Sequence, residues 1–436
     1  MNELIKLILG VTSVIIASYS KILILLPILF IVYSLYLLKN YNLRPTKTSY
    51  KFFCFLLAMS LIDRYDISYG VINIFYISLI TFLIYQFFIL YLSKGSLNLI
   101  WLYFLMISIS IVLIISIRPI INIEDVIKWI LLLSMPLLIL IVEYKIDFKR
   151  FFLYLKDINI FLIGIGLGQF LAIAGYIPFS NASGLDMEYH VIRPTGLSSE
   201  PTWYSQQLAI LLGINIFSGI RLSRTFYVIS FISVLIIFLC FTRGAYLILF
   251  TLMSFLILKN LNYIFHKPIA SLSLTIFSLF LIYSFYPLLG ENEFNLNIIQ
   301  KLLFQDASAG ARLEGIASTI NFWLERPFIG HGFSYNILMV TSEGTAINQK
   351  IFNSFLGSLA TGGLFLFSLY LLVFLYLFIN SIELYLTNSN YLALFIVTSY
   401  FLLSSVMPFA YSFFGIFITM ILSIFSMKNS FKNNEM

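Results

Sequence analysis

The chain has 436 residues, of which 60% are apolar and only 10% charged, against roughly 25% charged in soluble domains. That deficit excludes an ordinary cytoplasmic enzyme, and the hydrophobicity excludes a disordered chain. The net charge of +7 points to no nucleic acid, because the basic residues are spread over short loops between apolar runs, as membrane orientation requires.

A membrane-crossing helix needs about 20 mostly apolar residues. Cutting at polar clusters predicts about fourteen spans, with cores at 4–19, 22–38, 52–62, 71–92, 97–117, 127–142, 158–177, 204–220, 226–241, 246–258, 268–289, 354–379, 391–407 and 410–426. The fold class is therefore all-α: a polytopic membrane protein of about 12–14 transmembrane helices, forming a single membrane domain over 1–436. The first span lacks the basic start and small-residue cleavage site of a signal peptide, so it is read as a helix. Segment 143–157, EYKIDFKRFFLYLKD, reads as a loop lying at the headgroups. Gly164, Gly166 and Gly168 read as a close helix-packing face rather than a nucleotide motif.

Lys and Arg fix the expected orientation. One set of alternate loops holds fifteen of them, from Lys39 to Lys432, and the other holds nine, mostly in two long loops. The first set is expected to be cytoplasmic, with both termini inside. The opposite face then carries loops 178–203 and 290–353, the expected active-site loops. Within the second, Ala311 to Leu324 predicts a helix with Leu313, Ile316, Ala317, Ile320, Trp323 and Leu324 on one face, stopped by Pro327. Such a helix is expected on the membrane surface or over a cavity.

The candidate chemistry lies on that face. Arg193 sits seven residues before Glu200, in RPTGLSSEP, where Pro194 with Gly196 and Glu200 with Pro201 predict two turns. Arg243 lies in FTRGAYL, between two apolar runs, with Gly244 open to a close approach. Arg312 opens the loop helix, where Glu314, Glu325 and Arg326 offer it partners. Three arginines from separate segments suit a lipid diphosphate, since guanidinium stays charged and grips phosphate oxygens in pairs. His331, flanked by Gly330 and Gly332, is a second candidate base after Glu200; the alternative for it is a solvent-exposed loop histidine. Cys54 and Cys240 read as buried thiols, and with three scattered histidines they offer no metal cluster. No cofactor is expected.

RPTGLSSEPTWYSQQLA, FTRGAYL, ARLEGIASTINFWLERPFIGHGFSYN and FNSFLGSLATGG, in this order over about residues 190–365, resemble the O-antigen polymerase and ligase superfamily. The resemblance implies a bacterial inner-membrane glycosyltransferase acting on glycans carried by undecaprenyl diphosphate, for O-antigen or capsule. Its implied partners are those lipid-linked oligosaccharides, membrane lipids and a chain-length regulator. Arg193, Arg243 and Arg312 fall where the family carries arginines thought to hold the diphosphate. The ligases open the span after the large loop with a His-Asn pair followed by GxxG. Here the chain reads Phe352-Asn353 and then TGGLFL, which favours the repeat-unit polymerase over the ligase. A lipid-linked glycan flippase is disfavoured, because the spans carry almost no charge.

Overall fold

A computed structural model describes residues 2–21, 25–41, 148–178, 185–188, 191–198, 200–220, 222–240, 242–260, 307–332, 336–340, 346–350, 353–388 and 391–406, with isolated residues within 58–62, 126–133 and 415–422. The expected spans at 52–62, 71–92, 97–117, 127–142, 268–289 and 410–426 lie wholly or largely outside the described residues.

The protein is an all-α polytopic membrane protein. Its described helices are α1 (Glu3–Ser20), α2 (Leu25–Asn40), α3 (Phe148–Ile173), α4 (Pro201–Phe217), α5 (Arg224–Leu239), α6 (Arg243–Lys259), α7 (Ala307–Glu325), α8 (Ser354–Asn388) and α9 (Tyr391–Val406). Three of them, α1, α3 and α8, are long and apolar enough to cross a membrane. Two short antiparallel ribbons interrupt the helical order, β1 (Leu185–Glu188) with β2 (Val191–Pro194), and β3 (Asn336–Val340) with β4 (Ala346–Lys350). Neither ribbon was legible in the loops that contain them, because four or five residues of mixed character carry little periodicity.

Local chemistry sets the helix ends. Asn2 caps α1 by accepting from the Leu4 amide at 3.3 Å, and Ser223 caps α5 by accepting from Phe226 at 3.0 Å. Pro201 begins α4, where its missing N–H costs nothing. Between apolar helices in lipid, close packing rather than hydrophobicity drives association. At the α1–α3 crossing a Cβ on Gly10 would overlap the Phe161 carbonyl, and one on Gly164 the Leu7 carbonyl. The glycine reading of that face therefore holds for packing.

Segment 143–157 departs from expectation. Its described part, 148–157, is the start of α3, with Phe151, Tyr154, Leu155, Lys156 and Asp157 buried. The charges are tolerated because each meets an opposite one. Lys6 of α1 pairs with Asp157, and Tyr41 also donates to that carboxylate. Lys156 reaches Glu3 at 2.8 Å, and Ser223 donates to the same Glu3. The spans are thus less bare of charge than the sequence suggests, but Lys6, Lys156 and Asp157, which are buried, are each paired.

Helix α8 was expected as one uninterrupted span. It is instead broken at Gly362 and Gly363, the latter at φ +62°. Phe355 packs against Tyr370 at 5.2 Å and Phe374 at 5.9 Å between ring centroids. These residues lie about equally far on either side of the break, so residues 354–361 fold back against residues 364–388. The second arm, about 37 Å long at 1.5 Å per residue, is still long enough to span.

The break exposes backbone groups, and the chain after α7 satisfies them. His331 N donates to Ala360 O at 2.8 Å and Gly332 N to Thr361 O at 2.9 Å. In the other direction Leu364 N donates to Pro327 O at 2.8 Å. Non-helical backbone within a membrane protein persists only with such replacement partners. Helix α7 itself begins earlier than expected. Gly315 and Thr319 are buried, whereas Ile320 and Leu324 of the apolar stripe are exposed, as are Phe328 and Ile329 after the helix, and Ile316 and Trp323 are partly covered.

Candidate functional site at the arginine end of the bundle

The site lies at the end of the bundle opposite the Lys6–Asp157 pair. Its floor is the turn after β2. Ser198 N donates to Thr195 O at 3.0 Å, and Gly196 adopts φ +60°. A side chain at residue 196 would collide with the Tyr204 ring, and the Tyr204 hydroxyl donates to Leu162 O of α3 at 2.7 Å. The Gln169 amide of α3 meets the turn from the side, donating to Gly196 O at 3.1 Å and accepting from Gly196 N at 2.9 Å. From α5, the Cys240 thiol donates to Pro194 O at 3.5 Å.

Arg193 precedes this turn and is buried, 6% exposed. Asp186 is its register partner across the ribbon. The carbonyl of the next residue, Pro194, accepts from the Cys240 thiol, which places the Arg193 backbone beside the end of α5. Glu200 occupies the N-cap of α4, exposed, and its carboxylate does not cap the helix. Arg243 is the first residue of α6 and is half-buried.

Hydroxyls tie the two helix starts together. Thr242, the N-cap of α6, does not cap its own helix; its hydroxyl bonds that of Ser205 in the first turns of α4. Since Ser205 also donates to Thr202 O at 3.0 Å, Thr242 is the donor in the pair. Gly244 is indeed closely approached, but by the Gln206 side chain. Leu403 of α9 lies against the same glycine, and two residues on, Ser405 O accepts from Asn353 Nδ2 at 2.6 Å. Asn353 Oδ1 caps α8 through Phe355 N at 2.8 Å. The starts of α4, α6 and α8 thus gather at one end, and each presents the positive end of its backbone dipole.

Arg193 adjoins the Pro194–Cys240 contact, Glu200 is the N-cap of α4, and Arg243 begins α6 three residues after Cys240. His331 is buried rather than solvent-exposed. Its ring stacks on Phe322 at 3.6 Å, bonds Phe322 O through Nε2 and lies 3.9 Å from Glu325 Oε2. The flanking glycines do make the sharp turn expected, at φ +71° and +94°. Arg312 lies in α7, but its side chain is outside the described residues, as are Cys54, His190 and His266. Cys240 is a buried free thiol at the end of α5. Among the described residues no group of three or more His, Cys, Asp or Glu is placed to hold a metal. Sequence reasoning assigned nothing to Gln169, Ser205, Gln206 or Thr242; the only signal was a polar side chain inside an apolar run.

The fold defines a polytopic helical membrane protein. Residues 228–371, from α5 into the second arm of α8, match the family model described as O-antigen ligase. The resemblance to the O-antigen ligase and polymerase superfamily holds over that region, and it implies a membrane enzyme of glycosyltransferase type. No curated protein matches the chain.

Proposed function

We propose that the protein is a polymerase that joins undecaprenyl-diphosphate-linked oligosaccharide repeat units into a surface polysaccharide. It acts at the outer leaflet of a bacterial inner membrane, with both termini cytoplasmic and loops 178–203 and 290–353 forming the site. The observation that supports this reading is the bond between Ser205 and Thr242, which ties the start of α4 to that of α6, where Arg243 lies, together with the Cys240 contact to Pro194 beside Arg193. A diphosphate is the anion that such a set of guanidinium groups and helix dipoles fits.

Arg193, Arg243 and Arg312 hold the donor diphosphate. A sugar hydroxyl of the acceptor attacks the anomeric carbon of the donor, the bond to the diphosphate breaks, and its charge falls on the arginines. Glu200, exposed at the mouth, takes the hydroxyl proton. His331 stands second as base, because its ring is already bonded to Phe322 O. The exposed strip of Ile320, Leu324, Phe328 and Ile329 faces lipid. Lys6, Lys156 and Asp157, which are buried toward the other end, are each held in a pair joining α1 to α3, which keeps the flippase reading weak.

The match to an O-antigen ligase family makes the ligase the second reading. Deleting the gene separates the two. Loss of a polymerase leaves single repeat units attached to their acceptor, and loss of a ligase leaves none attached. Unchanged surface glycan in the deletion strain defeats both.

A further inference from the structure

Arg193 and Glu200 flank the turn at Gly196. Three side chains from three helices hold it: Tyr204 from α4 under Gly196, Cys240 from α5 on Pro194 O, and Gln169 from α3 on both backbone atoms of Gly196. Of these, only Gln169 fixes the turn in two directions at once. Its side chain is fully buried, and its two hydrogen bonds match a backbone amide donor to a side-chain acceptor and the reverse. That fixes both the position and the rotation of the peptide at Gly196. Arg193 is three residues upstream on a short ribbon, and Glu200 is four downstream at the start of α4, so both inherit the orientation of that peptide.

We propose that Gln169 is a positioning residue, which sets the Arg193 guanidinium in place to bind the anionic group of the donor. This rests on the phosphate reading above. It predicts that Gln169 matters to anion binding only through Arg193.

The test uses the full chain in lipid nanodiscs, with inorganic pyrophosphate as the probe and hydrogen exchange of residues 193–200 as a second readout. Gln169→Leu should raise exchange in that stretch, leave exchange at the α1–α3 crossing unchanged and weaken pyrophosphate binding about tenfold, or 1.4 kcal/mol. Gln169→Glu keeps the acceptor and loses the donor, so it should fall between. In an Arg193→Ala background, Gln169→Leu should weaken binding no further, the non-additivity of residues that act as a unit. Unchanged exchange over 193–200 in both variants overturns the proposal, as does a loss of binding that persists after Arg193 is removed. Raised exchange throughout the chain also overturns it, since Gln169 would then be a general structural residue. If Arg193→Ala binds pyrophosphate as well as the unaltered protein, the phosphate reading fails and the role of Gln169 in it fails too. The exchange data then still show whether Gln169 holds the turn, so the two failures are distinguishable.

Discussion

The two ends of the helix bundle treat charge in opposite ways. At the end that carries the N-terminus, Lys6 meets Asp157 and Lys156 meets Glu3, each pair joining α1 to α3. At the other end Arg193 and Arg243 come from different segments, near the starts of α4 and α6, and Glu200 at the N-cap of α4 is exposed. The first arrangement uses its buried charges to join two helices. The second sets guanidinium groups near helix N-termini, where a bound anion would meet favourable partners.

Substitutions can break this contrast. The largest effect is expected from Asp157→Leu, which leaves Lys6 buried without its partner and should cost about 3–5 kcal/mol. Thermal melting in detergent measures it, and Lys6→Met in the same chain should restore most of the loss. If the single variant melts like the unaltered protein, the pair is not the fastening described. Next in size, Arg193→Ala and Arg243→Ala should each lower polymer formation about 10²–10³-fold at unchanged protein level. Arg→Lys should recover only part, because an ammonium does not grip two oxygens. Normal chain-length profiles in both alanine variants remove the clamp. Glu200→Gln should lower the rate about 10²-fold, the low end for a general base, without weakening pyrophosphate binding; unaltered polymer would dismiss it. The smallest change is Thr242→Val, which loses one hydroxyl bond to Ser205 and about 1 kcal/mol of stability. A drop matching that of Asp157→Leu would mean that this end is fastened as firmly as the other.

Much of the fold was legible because hydropathy reports lipid contact directly. The spans at 4–19, 22–38, 204–220, 226–241, 246–258 and 391–407 each coincide with a described helix to within a few residues. Charge misled at 143–157: Lys156 and Asp157 look like loop residues, and nothing local shows that Glu3 and Lys6, about 150 positions away, neutralise them. The fold-back of α8 was written in TGG, but a pair of glycines in an apolar run reads equally well as a packing face. At the site, arginines were visible because they are expensive in such a chain. Gln169 was not, since one amide in a helix has no pattern, and its partner is the backbone of Gly196. His331 was read as exposed because its glycines resemble a mobile loop, whereas they bend the chain so that it can dock.

That docking fixes an order of assembly. The first arm of α8 ends in carbonyls, and the second begins with amides, that have no partners within the helix itself. Their partners lie in residues 327–332, which leave the ribosome first. A nascent chain therefore already carries the splint when the fracture emerges. Shortening the segment between Trp323 and Gly332 would strand polar backbone in an apolar setting, at several kcal/mol per group. The segment that a topology diagram draws as an external loop thus completes a helix, and a version of the protein without it would leave the break within α8 unsplinted.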